Sequence, residues 1–379
     1  MIIKKDCALY AGSRPCTPNK LHGATCPACR FHTRDFGPAV LIIKLDAAGD
    51  VLRSTALLAG LRKKAGAKAR ICWLAASDSL PLLARNHYLD ETLDAGKPEI
   101  LRELLTRKWR SVYCLDNSPE AAAYCALARS GEKHGFSLSK SGALEALDPK
   151  AAYWLELACF DQMKKKNRLS YQEIMRRICG VGKISRPVFA VPAAELSGAR
   201  KLLKKAGAER IIGVNTGSGS RWPKKMLAPQ DTIKLCRQML ESDPKCAVAL
   251  LGGPLERKTH RAIAAALKSR RVIDTGNNNS FARFAALVRS CDAIVCGDTL
   301  ALHTATAVGT PAVALFGPTS IHEIHDYDGL VLKLAPKLSC LCCYGNCAKK
   351  RHCMNSLPLA TIIQAVKTQL VFKRNWRGK

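Results

Sequence analysis

Four stretches gather residue types that can do chemistry. The run CDAIVCGDTLALHTATAVGTPAVALFGPTS, Cys291 to Ser320, sets Asp298, Thr299 and His303 at the start of a helical pattern. Unsatisfied N–H groups at such a start suit a phosphorylated ligand. Asp298 would repel phosphate, so its carboxylate fits a sugar hydroxyl or the helix-start N–H groups, with Thr299 or His303 as donors nearby. Plain capping by Asp298 and a half-buried His303 explain the same residues. Gly49-Asp50 stands at another turn before a helical pattern, where Asp50 suits either an N-cap or a general base on a cleft rim; Asp46 shares the loop. The loop Asn215 to Lys225, NTGSGSRWPKK, combines Thr216, Gly217 and Ser218 with a cation cluster, a pattern suited to a diphosphate. It lacks the P-loop ending and the dinucleotide spacing.

The fourth stretch is cysteine-bearing. Cys7, Cys16, Cys26 and Cys29 precede the first apolar run, with Cys26 and Cys29 in a CxxC. Four thiolates suit tetrahedral zinc or an iron–sulfur cluster, a structural site in a segment with little core of its own; the alternative is that only the CxxC pair is close and no metal binds. A second cysteine group, Cys340, Cys342, Cys343, Cys347 and Cys353, leaves metal, redox and plain loop readings open. Asp326-Tyr327-Asp328 spells a DxD, outside the crevice that the other motifs describe.

These residues need a scaffold, and the apolar pattern supplies one. Strand-like runs at 39–43, 69–74 and 111–115 alternate with helical spacing, as do runs at 210–214, 246–251, 271–274, 292–296 and 312–316. Alternation of this kind predicts doubly wound parallel sheets, whose ligands sit beyond the carboxyl ends of the strands. Prolines at 187 and 192 mark a boundary. The predicted division is a Cys-rich segment at 1–38, an α/β domain at 39–185, a second at 186–354, and a terminal helix at 355–379 that returns to the first domain.

Lys and Arg number 60 against 30 Asp and Glu, a net charge of +30. The excess favours an anionic partner: nucleic acid, an acidic membrane surface or a phosphorylated substrate. No apolar run approaches the roughly 20 residues that a membrane span needs, and the opening MIIKKDCALY lacks the apolar region of a signal peptide. The expectation is a cytoplasmic protein touching the inner membrane electrostatically, with reduced cysteines.

Three stretches together, LIIKLDAAGDVLRSTALLAGLRKK, GVNTGSGSRWPKKMLAPQDTIKLC and DAIVCGDTLALHTATAVGTPAVALFGPTS, resemble glycosyltransferase family 9, the lipopolysaccharide heptosyltransferases, over roughly residues 39–375. The resemblance implies a glycosyltransferase B fold, with acceptor on the first domain and nucleotide sugar on the second. It implies inverting, metal-independent transfer from ADP-heptose or a similar donor to a phosphorylated lipopolysaccharide core, with no catalytic cofactor. Carried over by motif, Asp50 looks like the catalytic base, with Lys44 and Arg53 flanking it on the acceptor side. Thr216, Gly217, Ser218 and Lys225 fall in the donor-phosphate loop, Glu256 at the adenosine ribose, and Asp298, Thr299 and His303 in an Asp-Thr-Gly-x-x-His motif whose glycine is Leu300 here. Similar cysteine-bearing tails occur in the family.

Two other readings compete: a family 9 enzyme with another donor or acceptor, and a basic zinc-containing nucleic-acid-binding protein. Against the latter, aromatics are only 6% of residues and do not interleave with the basic ones. A silent scaffold of the same fold would not need Asp50 together with Asp298 to His303.

Overall fold

The computed structural model describes all residues except 1, 8, 11, 13, 34–37, 220–222, 346, 348–351 and 377–379. Ser220 to Trp222 of the cation loop and the last three basic-tail residues therefore lie outside the described residues.

Two parallel-based sheets carry the chain. The first contains β1 (Ala39–Ile43), β2 (Arg70–Ala75), β3 (Glu91–Asp94), β4 (Ser111–Cys114), β5 (Lys133–Leu138) and β6 (Leu144–Ala146). Its order is β3-β2-β1-β4-β5-β6, with only the β5–β6 pairing antiparallel. The second contains β7 (Arg210–Asn215), β8 (Cys246–Leu251), β9 (Val272–Asp274), β10 (Ala293–Gly297), β11 (Ala312–Leu315) and β12 (Val331–Leu334), in the order β12-β11-β10-β7-β8-β9. Each sheet thus starts in its middle, builds outward to one side, returns, and builds to the other. The reversal falls between β1 and β4 in one and between β7 and β10 in the other, where helices leave in opposite directions and a crevice opens.

The central strands are apolar because helices cover both faces. β1, β8 and β10 are buried along their whole length. The strands that the apolar pattern missed, β3, β5, β6 and β12, lie at or near edges and are partly exposed, so their sequences are mixed.

A connecting segment straps the halves together. Val188 N–H donates to the Thr55 hydroxyl at 3.0 Å, Asn86 donates to the Val188 carbonyl at 3.3 Å, and the Phe189 ring meets Phe281 edge-on at 4.7 Å. The terminal helix Leu359–Trp376 departs from the expectation. It packs Ile362, Ala365 and Val366 with Ile212, Val295 and Val313 of the second sheet, and Lys373 pairs with Asp292 at 2.8 Å. An apolar stripe on this helix finds its partner on the adjacent sheet face, so the helix stays with the second half.

Among the described residues before 39 there are one short helix, Thr17–His22, and a 3-10 turn, Cys26–Ala28. Among the described residues of 2–33 only Pro18 is buried.

Candidate active site

β1 ends at Ile43, and Lys44 follows at the reversal point of the first sheet. Its ammonium donates to Asp116 Oδ2 at 3.1 Å and to the Asp46 carbonyl at 2.6 Å. Asp116, just beyond β4, also accepts from Leu45 N–H at 3.2 Å. This buried clasp fixes the loop that launches helix Ala48–Ser54, whose first turn holds Asp50. The N-cap is Ala47, with no side chain capping the helix, so Asp50 does not act as a cap. Its carboxylate binds Arg53, one turn on, at 2.8 Å. The Arg53 guanidinium lies 3.7 Å from the centre of the Tyr171 ring, and the Tyr171 hydroxyl is 2.8 Å from Ser54 Oγ. Burial raises the pKa of Asp50, but Arg53, Lys44 and His303 together outweigh it and hold the carboxyl below the usual range. The Asp50 side chain is 35% exposed and that of Arg53 only 8%, so the ionised carboxylate reaches the cleft on a buried cation.

The opposite rim belongs to the second sheet. β10 ends at Gly297, where an added Cβ would stand 2.4 Å from the Lys225 carbonyl oxygen, so only glycine fits. The next residue, Asp298, binds the Lys225 ammonium at 3.2 Å through Oδ2 and lies 4.0 Å from His303 Nε2 through Oδ1. Burial opposes ionisation of Asp298, yet Lys225 chiefly, then His303 and Arg53, bring its pKa down to about 2. Burial, then Arg53, pushes His303 to about 4, so its ring is neutral at pH 7. Helix Leu300–Val308 starts at Thr299 without a side-chain cap, leaving its first N–H groups to an incoming acceptor.

A cavity of about 470 Å³ opens beside that helix start. Gly217, Ser218, Gly252, Gly253 and Glu256 form one wall; Phe281, Phe284, Thr299, Leu300 and Ala301 form another. Glu256 accepts from Gly253 N–H at 2.8 Å, and an added Cβ at Gly217 would meet its carboxyl carbon at 2.5 Å. The cavity thus offers aromatic and apolar surface, a carboxylate able to accept from hydroxyls, and helix-start N–H groups within one volume.

The sequence matches the model of glycosyltransferase family 9 (heptosyltransferase) over residues 100–359. The chain belongs to this family. Solved structures share the two-sheet, glycosyltransferase B-like fold. One titled ADP-heptose LPS heptosyltransferase II, from E. coli, superposes with a TM-score of 0.66 at 18% identity, covering 89% of this chain and 99% of its own. A family 9 glycosyl transferase from Veillonella parvula gives 0.68 at 16% identity, with 88% and 97% covered. E. coli heptosyltransferase WaaC with ADP gives 0.57 at 15% identity, with 88% and 98% covered. No curated protein sequence matches the chain.

Within this family 9 fold, Asp50, Arg53, Lys225, Asp298 and His303 form one contiguous cluster, and Gly217, Ser218, Glu256 and Thr299 line the neighbouring cavity. Thr216 turns away: its hydroxyl is 2.9 Å from Nε2 of the buried His260, which is 3.2 Å from Asp274 and 3.1 Å from Asn277. Lys44 is 5% exposed and engaged by Asp116, which places its ammonium behind the loop and not in the cleft. Lys224 donates to the Cys347 carbonyl, leaving Lys225 at Asp298.

Several participants carry no motif. Asp116 follows a strand at the same rim as Asp50, so its position was readable even though its partner was not. Tyr171, Phe281 and Phe284 lie on helices with ordinary apolar spacing. Glu323, its pKa raised by burial, accepts from the Tyr344 hydroxyl at 2.5 Å, and Tyr344 is held on the rim by its N–H bond to the Pro318 carbonyl at 2.9 Å. The second cysteine group therefore lies against the Gly317 turn, where Cys342 N–H donates to the Gly317 carbonyl at 3.0 Å. In the DxD, Tyr327 is buried and accepts from Gln172 at 2.7 Å, while Asp328 N–H bonds within the turn to Asp326 at 3.3 Å. That sequence ties the two halves together.

Proposed function

We propose that the protein is an inverting heptosyltransferase that moves heptose from ADP-heptose to a phosphorylated inner-core lipopolysaccharide acceptor, without a catalytic metal. The observation that carries this reading is the apposition, through Gly49 against His303, of a partly exposed, cation-held carboxylate, Asp50, with the Asp298–His303–Lys225 cluster beside a nucleotide-sized cavity. The E. coli relative is named for ADP-heptose, and a second was solved with ADP, which supports adenosine diphosphate as the donor's nucleotide part.

In the reaction, Asp50 takes the proton of the acceptor hydroxyl as that oxygen bonds to the anomeric carbon. The bond from that carbon to the diphosphate oxygen breaks, and its electron pair leaves with ADP. Lys225 and the N–H groups opening helix Leu300–Val308 stabilise the charge on the departing diphosphate, the part a divalent ion plays elsewhere. Glu256 accepts from the ribose hydroxyls. Asp298 orients the Lys225 ammonium and a sugar hydroxyl. Neutral His303 supplies a donor or acceptor without adding charge. The net charge of +30 favours both the phosphorylated acceptor and an anionic membrane surface at the cytoplasmic face; among the described residues no helix is long and apolar enough to cross a membrane.

Calorimetric titration with ADP, UDP, GDP and CDP, each without divalent metal, tests the donor. Selective ADP binding, followed by turnover of ADP-heptose on heptose-deficient lipopolysaccharide with inverted anomeric configuration, is the expected result. Selective binding of another nucleotide replaces the donor, an outcome for which Leu300 in the cavity wall is the structural motive. Binding of none removes the proposal.

A further inference from the structure

The described residues of 2–33 hold a defined shape without the means that normally maintain one. Among their described residues only Pro18 is buried, while Ile2, Ile3 and Leu21 are 70%, 51% and 69% exposed. A segment of this size cannot fasten itself by burying apolar surface and needs a cross-link. All four of its cysteines, Cys7, Cys16, Cys26 and Cys29, line one cavity of about 260 Å³, and all four are free thiols. Each sits where the backbone is already fixed. Cys7 N–H closes a turn on the Lys4 carbonyl at 3.1 Å, Cys16 is the N-cap of helix Thr17–His22 without using its side chain to cap, and Cys26 opens the 3-10 turn that Cys29 ends.

We propose that these four cysteines ligate an iron–sulfur cluster that ties residues 2–33 into one unit. A single zinc ion requires its thiolates about 2.3 Å from one centre, and among the described residues no three Cys, His, Asp or Glu side chains are gathered closely enough to hold one ion, whereas all four cysteines line one cavity with room for several atoms. A cluster, held by one thiolate from each of four cysteines, fills such a volume and satisfies all four. Its binding energy is then folding energy for a segment that has little other. The site is built apart from the residues that line the active-site cavity, so it stands or falls independently of the proposed reaction.

The test is iron and acid-labile sulfide analysis of full-length protein purified anaerobically, with thiol counting and the visible charge-transfer spectrum. Iron and sulfide in equal amounts are expected, lost in Cys26→Ser and in Cys7→Ser but kept in a Cys343→Ser/Cys347→Ser double variant. In the first two, residues 2–33 become sensitive to limited proteolysis while the circular dichroism of the two sheets is unchanged. Zinc as the bound metal, two disulfides, absence of any metal, or iron that leaves only with Cys343 and Cys347 would each overturn the proposal.

Discussion

Gly49 and His303 touch across the cleft: a Cβ on Gly49 would stand 2.8 Å from Cδ2 of the His303 ring. One residue precedes Asp50 on the first sheet's rim; the other is paired with Asp298 on the second. Gly49→Ala must therefore displace either the helix that carries Asp50 or the ring beside Asp298. It is expected to cost about 1–3 kcal/mol of stability and to lower kcat more than donor affinity. Adding His303→Ala should relieve the stability loss, which chemical denaturation of both variants will measure.

Asp50→Asn keeps the shape of the side chain and removes the proposed base. Turnover is expected to fall about 10²-fold or more, with the calorimetric affinity for nucleotide unchanged. Near-normal turnover would eliminate Asp50 as the base.

The Lys225–Asp298 pair is mostly buried, its side chains 14% and 11% exposed. Lys225→Ala leaves a buried carboxylate without its principal cation and is expected to cost about 3–5 kcal/mol, along with the affinity for diphosphate. Because Asp298 has its pKa lowered from 3.8 to about 2, its contribution is complete above 3.8 and disappears as pH falls through 2. Acid unfolding of Lys225→Ala should begin at higher pH than that of the parent.

His303 titrates the other way in charge but acts in the same direction. Above the unfolded value of 6.5 the ring is neutral in both states; below it the unfolded chain takes up a proton that the native ring accepts only near pH 4. Lowering the pH from neutral to about 5 is expected to remove about 2 kcal/mol through this residue alone. His303→Gln should flatten that part of the stability profile, read by urea denaturation across pH.

At the cavity wall, Gly217→Ala sets a methyl against the Glu256 carboxylate, 2.5 Å from its carboxyl carbon. ADP affinity is expected to drop about tenfold, an effect of one hydrogen-bonding group displaced. Glu256→Gln, which keeps the volume, should cost less than Gly217→Ala if crowding dominates, and more if the carboxylate charge on the ribose does.

Much of this arrangement was legible in the sequence. The buried strands β1, β7, β8, β10 and β11 are near-continuous apolar runs, and each ends in the Gly or polar turn that marks a rim. Asp298 and Asp50 were ambiguous between capping and chemistry; the structure gives the cap positions to Thr299 and Ala47. Long-range partners were not legible. Lys44 meets Asp116 and Arg53 meets Tyr171 because separate strands and helices converge, and no local spacing encodes that. Thr216 looked like a loop hydroxyl, but a strand-end side chain alternates between faces, and His260 claims it from the other side. The terminal helix was misplaced because its apolar stripe specifies that it must pack, not on which sheet.

The two reversal points have a consequence for inheritance. Each rim is assembled entirely within its own half, the Lys44–Asp116 clasp in one and the Lys225–Asp298 pair in the other, and they meet through a few contacts such as Gly49 against His303. On the proposed reading, with donor on the second rim and acceptor on the first, substitutions that alter which sugar is delivered can accumulate on one side without disturbing what receives it on the other. What both sides must preserve in common is the seam, and the seam rests in part on the missing side chain of one glycine.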